Sequence, residues 1–247
     1  MTITVLQWNV YFQEDIHNIA EFLKANPADV ICLQELTIDY AKQTVKNTPL
    51  YIAEQLGYNY YSQEVPFKRR DGTLLNLTNG IFSRFPIENT RPAWIHESIN
   101  QNDKNDQRRA YLEATLKIPG SNVTIATTHL SFAPAFTNTP RKKREADDLC
   151  KEMSRHDKAF IFTGDLNATP DSYMVKTISK HLKNAGPDPQ QKTWTTKPFS
   201  YQGFEETQRN WRLDYIFTTK DVKVLKAEIL ETNYSDHLPI FTKLMIG

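Results

Sequence analysis

Short apolar segments of this sequence repeatedly lead into a polar side chain of a kind that enzymes use. Taken singly, an Asp, Asn or His at the end of a strand usually forms a turn or a cap. Strand ends gather along one edge of a sheet, so six of them together predict one cleft built from residues far apart in the chain. The six segments span residues 6–9, 30–35, 125–129, 160–167, 212–217 and 235–237.

The spacing of apolar residues predicts alternating strands and helices. Helices are expected over residues 15–24 and after three Thr-Pro pairs, in which Thr48, Thr139 and Thr169 would each cap the first free N–H groups. Strands are expected over residues 4–10, 29–33, 58–62, 79–83, 110–118, 122–128, 159–163, 213–218, 222–230 and 240–244.

The chain contains no Gly- or Ser-rich linker, and we therefore expect one domain over residues 1–247. Hydrophobic residues make up 39% of the chain and charged residues 24%, which excludes a disordered protein. About ten strands and four or five helices favour an α/β architecture in which two packed sheets are flanked by helices.

The charge of the chain is almost balanced, with 30 Lys and Arg against 29 Asp and Glu. A basic field over the whole surface is excluded, so any binding of phosphate must be local. No apolar run approaches the roughly 18 residues of a membrane span, and residues 1–6 lack the basic start of a signal peptide. Cys32 and Cys150 lie in apolar patterns and are expected to be buried free thiols, which favours a reducing, cytoplasmic location.

Several of the polar strand ends are carboxylates, and this predicts a metal ion. Carboxylates that share one cleft repel one another and raise each other's pKa unless a cation neutralises them. The candidate ligands are the oxygens of Asn9, Glu35 and Asp236, and the sequence contains neither a Cys cluster nor an HExxH motif. Hard oxygen ligands suit Mg²⁺ or Mn²⁺ better than zinc.

The order of the polar segments resembles the motif set of the endonuclease/exonuclease/phosphatase superfamily. The motifs run from residue 8 to residue 237, and Gly-Asp-Leu-Asn followed by Ser-Asp-His is their most specific part. The resemblance implies a four-layer α/β/β/α sandwich of two packed mixed sheets, and hydrolysis of a phosphate ester. The matching motifs are Trp8-Asn9, Gln34-Glu35, Thr128-His129, Gly164-Asp165-Leu166-Asn167, Arg212-Leu213-Asp214-Tyr215 and Ser235-Asp236-His237.

The resemblance also implies metal-binding residues. Glu35 would hold the divalent ion, with Asn9 close by. Asp236 would bind the ion or orient its site. The ion would hold a phosphate oxygen and neutralise the leaving oxygen.

The catalytic residues implied by the resemblance are five. Asp165 and Asn167 would position and activate the attacking water and contact the phosphate. His237, paired with Asp214, would be the second acid–base group, and the sequence leaves open whether Asp165 or His237 takes the proton of the water. His129 would donate to a phosphate oxygen.

Two positions bear on the subclass of enzyme. Apurinic endonucleases usually have an Asp two residues after the Asn of the first strand, where this chain has Tyr11, and a Tyr where it has His129. In having a histidine at position 129, the chain resembles pancreatic deoxyribonuclease and the sphingomyelinases. Repair of abasic sites is therefore not favoured.

Basic clusters at residues 68–70, 108–109 and 141–144 could contact substrate phosphate. Arg109 is a candidate for such a contact, whereas the cluster at 141–144 starts a helix and is expected to form a solvated face. Phe132 and Phe136 lie in the loop before that helix. Basic and aromatic side chains together suit a nucleic acid, and they suit an anionic lipid head group as well.

Three functions compete. A metal-dependent nuclease or nucleic-acid phosphodiesterase is favoured, acting as a monomer on a phosphate-ester substrate. The first alternative is a phospholipid hydrolase of sphingomyelinase type, or a sugar-phosphate or inositol-phosphate hydrolase. The second alternative is a non-catalytic module that only binds phosphate, and it is disfavoured because every motif residue is present.

Overall fold

The computed structural model describes residues 1–68, 72–97 and 107–247. Two six-stranded sheets pack face to face, and helices cover their outer faces. This is the four-layer α/β/β/α sandwich that the resemblance implies. Arg69 and Arg70 of the first basic cluster lie outside the described residues.

Strands and helices alternate along the chain and are numbered in chain order. The strands are β1 (Thr2–Asn9), β2 (Val30–Ile38), β3 (Asn59–Lys68), β4 (Leu74–Ser83), β5 (Ile87–His96), β6 (Arg109–Ile118), β7 (Ser121–His129), β8 (Phe160–Asp165), β9 (Lys183–Asn184), β10 (Phe199–Tyr201), β11 (Phe204–Glu206), β12 (Asp214–Thr218), β13 (Lys223–Ile229) and β14 (Ile240–Met245). The helices are α1 (Ile16–Ala25), α2 (Thr48–Leu56), α3 (Pro140–Met153) and α4 (Tyr173–Ile178), and a 3₁₀ turn covers Pro134–Phe136.

Both sheets are mixed. The first has the strand order β13-β14-β1-β2-β4-β3 and the second the order β5-β6-β7-β8-β12-β9, while β10 and β11 form a separate hairpin. In each sheet a crossover helix joins a parallel pair, β1 with β2 through α1 and β7 with β8 through α3. Parallel strands end at the same edge of a sheet, which brings Asn9 opposite Gln34 and His129 opposite Asp165.

Apolar side chains fill the space between the four layers. Val5 and Val30 of the first sheet share one cluster with Leu112, Ile125 and Ile161 of the second. Separate clusters lie under α1 and α2 on the first sheet and under α3 and α4 on the second. Burial of each such side chain contributes about 1.5–3 kcal/mol, so the edge that carries the polar strand ends rests on a rigid scaffold.

A buried pair of glutamines interrupts the apolar layer between the sheets. The side-chain amides of Gln7 and Gln34 exchange hydrogen bonds. Gln34 Nε2 also donates to Thr127 Oγ1 of the second sheet, 3.0 Å away. Leaving a buried amide unsatisfied would cost about 1–3 kcal/mol, so this contact sets how β2 and β7 face each other near the strand ends.

The N-termini of the two longer predicted Thr-Pro helices have different caps. α3 begins as predicted, with Thr139 Oγ1 accepting a hydrogen bond from the main-chain N–H of Lys142. The prediction that Thr48 caps α2 is wrong, because the Asn47 side chain takes that place. The hydroxyl of Thr48 is buried and bonds instead to the main chain of Thr37 in β2.

The predicted helix start at Thr169 is also wrong. α4 begins at Tyr173 with Ser172 as its N-cap. Thr169 belongs to a turn before the helix, in which its carbonyl accepts from Ser172 and its hydroxyl donates to Asp171. The sequence patterns also missed β5, β9, β10 and β11, because β5 is a largely exposed edge strand and the other three are only two or three residues long.

Both cysteines are buried free thiols, as predicted. Burial raises the pKa of Cys32 to about 12 and that of Cys150 to about 11, so neither thiol forms a reactive thiolate at neutral pH. In the described parts of the chain, no helix combines the length and the apolar character that crossing a bilayer requires.

Candidate active site

The polar strand ends meet in one cavity at the edge of the sandwich. Asn9 and Glu35 come from the parallel pair of the first sheet, and His129 and Asp165 from that of the second. The cavity has a volume of about 540 Å³. Asn9 and Asp214 do not line the cavity, but they form hydrogen bonds with Glu35 and His237, which do. The polar side chains that line the cavity include Glu35, Arg109, His129, Asp165, Asn167, Asp236 and His237.

His237 lies between two carboxylates. Its Nδ1 is 2.9 Å from Oδ2 of Asp214, and its Nε2 is 3.6 Å from Oδ2 of Asp165. Burial alone would lower the pKa of His237, but the charges of Asp214, Asp165 and Asp236 raise it well above its ordinary value. These charges favour the protonated ring, in which one N–H is directed at Asp214 and the other toward Asp165.

Asp165, Asp214 and His237 also have the spacing of a metal site, since one potential ligand atom of each lies within 4.8 Å of the others. Their hydrogen bonds favour an acid–base role instead. A protonated His237 has no lone pair for a cation. Asp165 accepts from Asn9 Nδ2 at 3.0 Å and from the main-chain N–H of Asn167 at 2.9 Å, and these bonds fix its carboxylate.

Glu35 and Asp236 form a second acidic group on the other side of the cavity. The pairing of β2 with β4 shifts register between Leu33 and Leu36, and Glu35 has a left-handed φ of 62°. Such a bulge redirects a side chain, and here it turns Glu35 into the cavity. Asp236 is held by Trp194, whose Nε1 donates to its Oδ2 at 3.0 Å.

The electrostatics of Glu35 fit a cation site. Burial, together with the charge of Asp236, raises the pKa of Glu35 to about 7. Among the described residues, no Lys or Arg forms an ion pair with either carboxylate. Two neighbouring carboxylates that are not paired with Lys or Arg, and whose charges are met only in part by His237, suit a hard divalent ion such as Mg²⁺.

Asn9 links the two acidic groups. Its Nδ2 donates to Glu35 Oε1 and to Asp165 Oδ2, each at 3.0 Å, and its Oδ1 accepts from the main-chain N–H of Tyr11 at 3.1 Å. The Glu35 carboxylate also accepts from the main-chain N–H of Phe12 at 3.2 Å. Asn9 therefore orients Glu35, and its amide oxygen is the atom that could face an ion.

His129 is held neutral next to Asn167. Burial is the main cause that lowers its pKa to about 4, and the nearby cations Arg109 and His237 act in the same direction, against Asp165. Asn167 Nδ2 lies 3.1 Å from the carbonyl of Leu130 and 3.2 Å from His129 Nε2. Because the carbonyl requires the amide nitrogen there, His129 Nε2 accepts a hydrogen bond and the proton of the neutral ring is assigned to Nδ1.

A buried charge network supports this side of the cavity. Lys142 is 2% exposed and donates from Nζ to the main-chain carbonyl of Asn167. Arg109 donates from Nε to Ser131 Oγ at 3.3 Å, and both Ser131 and Arg141 contact the buried Glu145. The expectation that residues 141–144 form a solvated face is thus wrong for Lys142, because the residues around the Asn167 carbonyl enclose its side chain.

The sequence of the chain matches a known family throughout the region that forms this cavity. A model described as the Endonuclease/Exonuclease/phosphatase family matches residues 6–237. The chain belongs to this family. Members of the family hydrolyse phosphate esters and generally depend on a divalent metal ion. The superfamily resemblance of the motifs is thereby confirmed.

One curated relative of this family member is Protein angel homolog 2 from Danio rerio. The two are 27% identical over 186 residues, which is 70% of this chain and 30% of that protein. The chain therefore spans less than a third of the length of the curated relative it matches.

Solved structures share the fold over the whole chain. An endonuclease/exonuclease/phosphatase from Beutenbergia cavernae has a TM-score of 0.78 and 22% identity, covering 100% of this chain and 72% of that one. D. rerio TDP2 complexed with a single-strand DNA product has a TM-score of 0.71 and 17% identity, covering 99% of each chain. The mannosyl-6-phosphatase Bt3783 of Bacteroides thetaiotaomicron has a TM-score of 0.71 and 17% identity, covering 99% of this chain and 100% of that one.

Aromatic rings border the cavity of this family member in two groups. The first ring group consists of Tyr11 and Phe12, which lie near Glu35, together with Phe67 of β3. The second ring group, near the histidines, consists of Phe132, Phe199 and Tyr201. Except for Phe132, these rings were not singled out from the sequence, because single aromatic residues in loops and edge strands carry no periodic signal.

Proposed function

We propose that this family member is a divalent-metal-dependent phosphodiesterase that cleaves nucleic acid by attack of water on phosphorus. The proposal is carried by one juxtaposition: the Asp214–His237–Asp165 group and the Glu35–Asp236 carboxylate pair line the same cavity. The first group can move a proton, and the second can hold a hard cation. We further propose that residues 1–247 act as one catalytic domain.

Glu35 and Asp236 are the proposed ligands of Mg²⁺ or Mn²⁺, with Asn9 beside them. When bound, such an ion neutralises negative charge that develops on the phosphate and on the leaving oxygen. Asn9 keeps the Glu35 carboxylate turned into the cavity through its 3.0 Å hydrogen bond. Trp194 does the same for Asp236.

Asp165 is the proposed acceptor of the proton of the attacking water, a role that the sequence left open between Asp165 and His237. A His237 ring protonated on both nitrogens cannot accept a further proton. It can donate one from Nε2, which faces the cavity while Asp214 holds Nδ1. Asp165 Oδ1 accepts from the Asn167 N–H, while Oδ2 accepts from Asn9 Nδ2 and lies 3.6 Å from His237 Nε2.

His129 and Arg109 are proposed to bind the phosphate. His129 is neutral at pH 7 and acts as an N–H donor, oriented by Asn167. The Arg109 guanidinium lines the cavity and is anchored through Nε on Ser131. Fixed donors aimed at an oxyanion lower a reaction barrier more than flexible ones, because they need no reorganisation during the reaction.

A nucleic-acid substrate is favoured over the alternatives by the cavity lining. Arg109 and Arg141 supply positive charge to the cavity, and the two ring groups line the same cavity. Basic and aromatic side chains together suit a phosphate backbone with bases. The DNA product bound to D. rerio TDP2 agrees with this choice, whereas the Bacteroides mannosyl-6-phosphatase keeps a sugar phosphate as the second candidate.

A substrate panel tests the proposal. Single-stranded and duplex DNA, RNA, sphingomyelin vesicles, inositol phosphates, mannose 6-phosphate and bis(4-nitrophenyl) phosphate are incubated with Mg²⁺ or Mn²⁺, and with EDTA as control. We expect metal-dependent cleavage of nucleic acid that Asp165→Asn abolishes and the exposed control Asp157→Asn does not. Cleavage of lipid or sugar phosphate with no cleavage of nucleic acid would refute the proposed substrate, and undiminished turnover in EDTA would refute the metal requirement.

A further inference from the structure

The first ring group is tied to the Glu35 side of the cavity. Phe12 follows β1, and its main-chain N–H bonds to the Glu35 carboxylate. Its ring centroid lies 5.8 Å from that of Tyr11 and 5.7 Å from that of Tyr40. Phe67 belongs to β3 of the same sheet. The rings of Phe12 and Phe67 are half-buried, so each keeps part of its surface toward the cavity.

The second ring group is tied to the histidine side. Phe132 lies three residues after His129, and its ring centroid is 5.6 Å from both Phe199 and Tyr201 of the β10–β11 hairpin. Phe199 packs 4.8 Å from Trp194, which itself lies 6.2 Å from the His237 ring. These contacts hold the hairpin rings in place beside the proposed acid–base group.

Phe12 adjoins Glu35, and Phe199 adjoins His237 through Trp194, so a phosphate bound between Glu35 and His237 would have rings of both groups within reach of its two substituents. A phosphomonoester presents an organic group on one side of phosphorus only, whereas a phosphodiester within a chain presents one on each side. Among the described lining residues, the apolar side chains are aromatic apart from Leu77 and Pro198. Planar rings match planar groups, and bases stack on aromatic side chains when they are not paired in a duplex.

We propose that the cavity binds unpaired nucleotides, with one base on the first ring group and the next base on the second, so that the phosphate between them lies at the acid–base group. The inference rests on the proposed function and adds to it a preference for single strands. Bases of an intact duplex face the partner strand and cannot reach either ring group. Arg109 and Arg141 lie beside the second group and match the charge of the backbone.

Binding of labelled oligonucleotides to the Asp165→Asn protein tests this without cleavage. Fluorescence anisotropy with Mg²⁺ compares a single-stranded 10-mer with the same sequence as a duplex. We expect the duplex to bind at least tenfold more weakly. We expect Phe12→Leu and Phe199→Leu, each of which keeps an apolar side chain but removes a ring, to raise Kd for the single strand by about tenfold. Tyr173→Leu, at an exposed ring on α4 outside the cavity, is the matched control and leaves Kd unchanged.

Oligonucleotides with one abasic sugar locate each base. An abasic sugar on one side of the central phosphate is expected to cancel the effect of one Leu variant and keep the effect of the other. Equal binding of duplex and single strand overturns the inference, as does an unchanged Kd in both Leu variants. The inference is also overturned if the two Leu variants bind sphingomyelin vesicles more weakly but bind oligonucleotides as wild type does. The ring groups would then serve a lipid substrate. If wild-type protein cleaves no phosphodiester, the proposed function fails, and the binding data still decide this inference.

Discussion

Lys142 donates a hydrogen bond from its buried ammonium group to the main-chain carbonyl of Asn167. Asn167 has a left-handed φ of 47°, which Asn adopts more readily than most residues with a side chain. The contact helps to hold the main chain of Asn167 in this conformation. That conformation places Asn167 Nδ2 against His129.

Lys142→Met is expected to lower kcat by about tenfold to a hundredfold, with KM changed less than threefold. The expected size follows from the roughly 1.5–3 kcal/mol of a hydrogen bond to a charged group. Steady-state kinetics and thermal unfolding are measured together. Lys143→Met, at the exposed neighbouring position, is the control. An unchanged kcat with a lowered melting temperature would show that Lys142 serves only the fold.

Divalent ions are expected to stabilise the protein more at pH 8 than at pH 5.5. The pKa of Glu35 in the ion-free fold is about 7, against an ordinary value of 4.5. Below pH 7 the bound proton competes with the ion, so apparent affinity falls by about tenfold per pH unit. Between about pH 4.5 and pH 7 the unfolded chain releases the Glu35 proton before the fold does, so the ion-free fold loses stability as pH rises through this range and loses no more of it above pH 7.

Thermal unfolding with Mg²⁺ or EDTA across this pH range checks the Glu35 prediction. In Glu35→Gln the rise in melting temperature on adding Mg²⁺ should be small at every pH, because the carboxylate that ionises is gone. A rise in wild-type protein that is the same at pH 5.5 and pH 8 would contradict the assignment of Glu35 to the ion.

Asp214→Asn is expected to shift the alkaline limb of the pH–rate profile to lower pH. The carboxylate of Asp214, with those of Asp165 and Asp236, holds the pKa of His237 well above its ordinary value against the effect of burial. The protonated ring exists below its pKa and is lost as pH rises through it, so a lower pKa moves the loss of activity to lower pH. We also expect kcat at neutral pH to fall roughly 10²–10⁴-fold, because less of the His237 ring is protonated there and an amide at position 214 cannot hold it as the carboxylate did.

The pH dependence of kcat/KM is measured for wild type, Asp214→Asn and the control Asp157→Asn. The control profile should superimpose on that of wild type, since Asp157 is exposed. An alkaline limb that stays in place in Asp214→Asn would mean that a group other than His237 sets it.

The polar strand ends were predictable because each depends on local sequence. A short apolar run followed by Glu35 or Asp165 indicates both the strand and the residue at its end. Their meeting in space followed from one rule, that parallel strands end at one edge of a sheet. The family match confirms the fold drawn from these segments, whereas the roles of the residues stay proposals.

The burial of Lys142 was not predictable in the same way. Its basic neighbours in the sequence are half-buried, as is Arg141, or exposed, as are Lys143 and Arg144, and Lys142 is buried because the loop around Asn167 packs on α3. The position of the Phe199 ring was equally unpredictable, because it depends on a hairpin of two strands with three residues each. Thr48 is drawn from the cap position by its contact with Thr37 of β2, whereas Thr169 forms a local turn with Asp171 and Ser172. For Lys142, Phe199 and Thr48, what the sequence lacked is a contact between distant segments.

Glu113 is expected to make the stability of the fold depend on pH far from the active site. Its Oε2 lies 3.0 Å from Arg91 Nη2, and Tyr111 and His156 each bond to it at 2.8 Å. Burial alone would raise its pKa, but the hydrogen bonds from His156, Arg91 and Tyr111 lower it from 4.5 to about 2. A carboxylate with a lowered pKa stabilises the fold above its unfolded pKa, and this contribution is lost as pH falls from about 4.5 toward 2.

Thermal unfolding between pH 6 and pH 2.5 separates the contribution of Glu113 from that of other carboxylates. Glu113→Gln is expected to be less stable at pH 6 by about 1–3 kcal/mol, because Arg91 and His156 lose a charged partner. It should then lose less stability than wild type on acidification. Glu54→Gln, on the exposed surface of α2, should follow the wild-type curve. A Glu113→Gln protein that loses as much stability as wild type below pH 4.5 would show that this network does not carry the acid sensitivity of the fold.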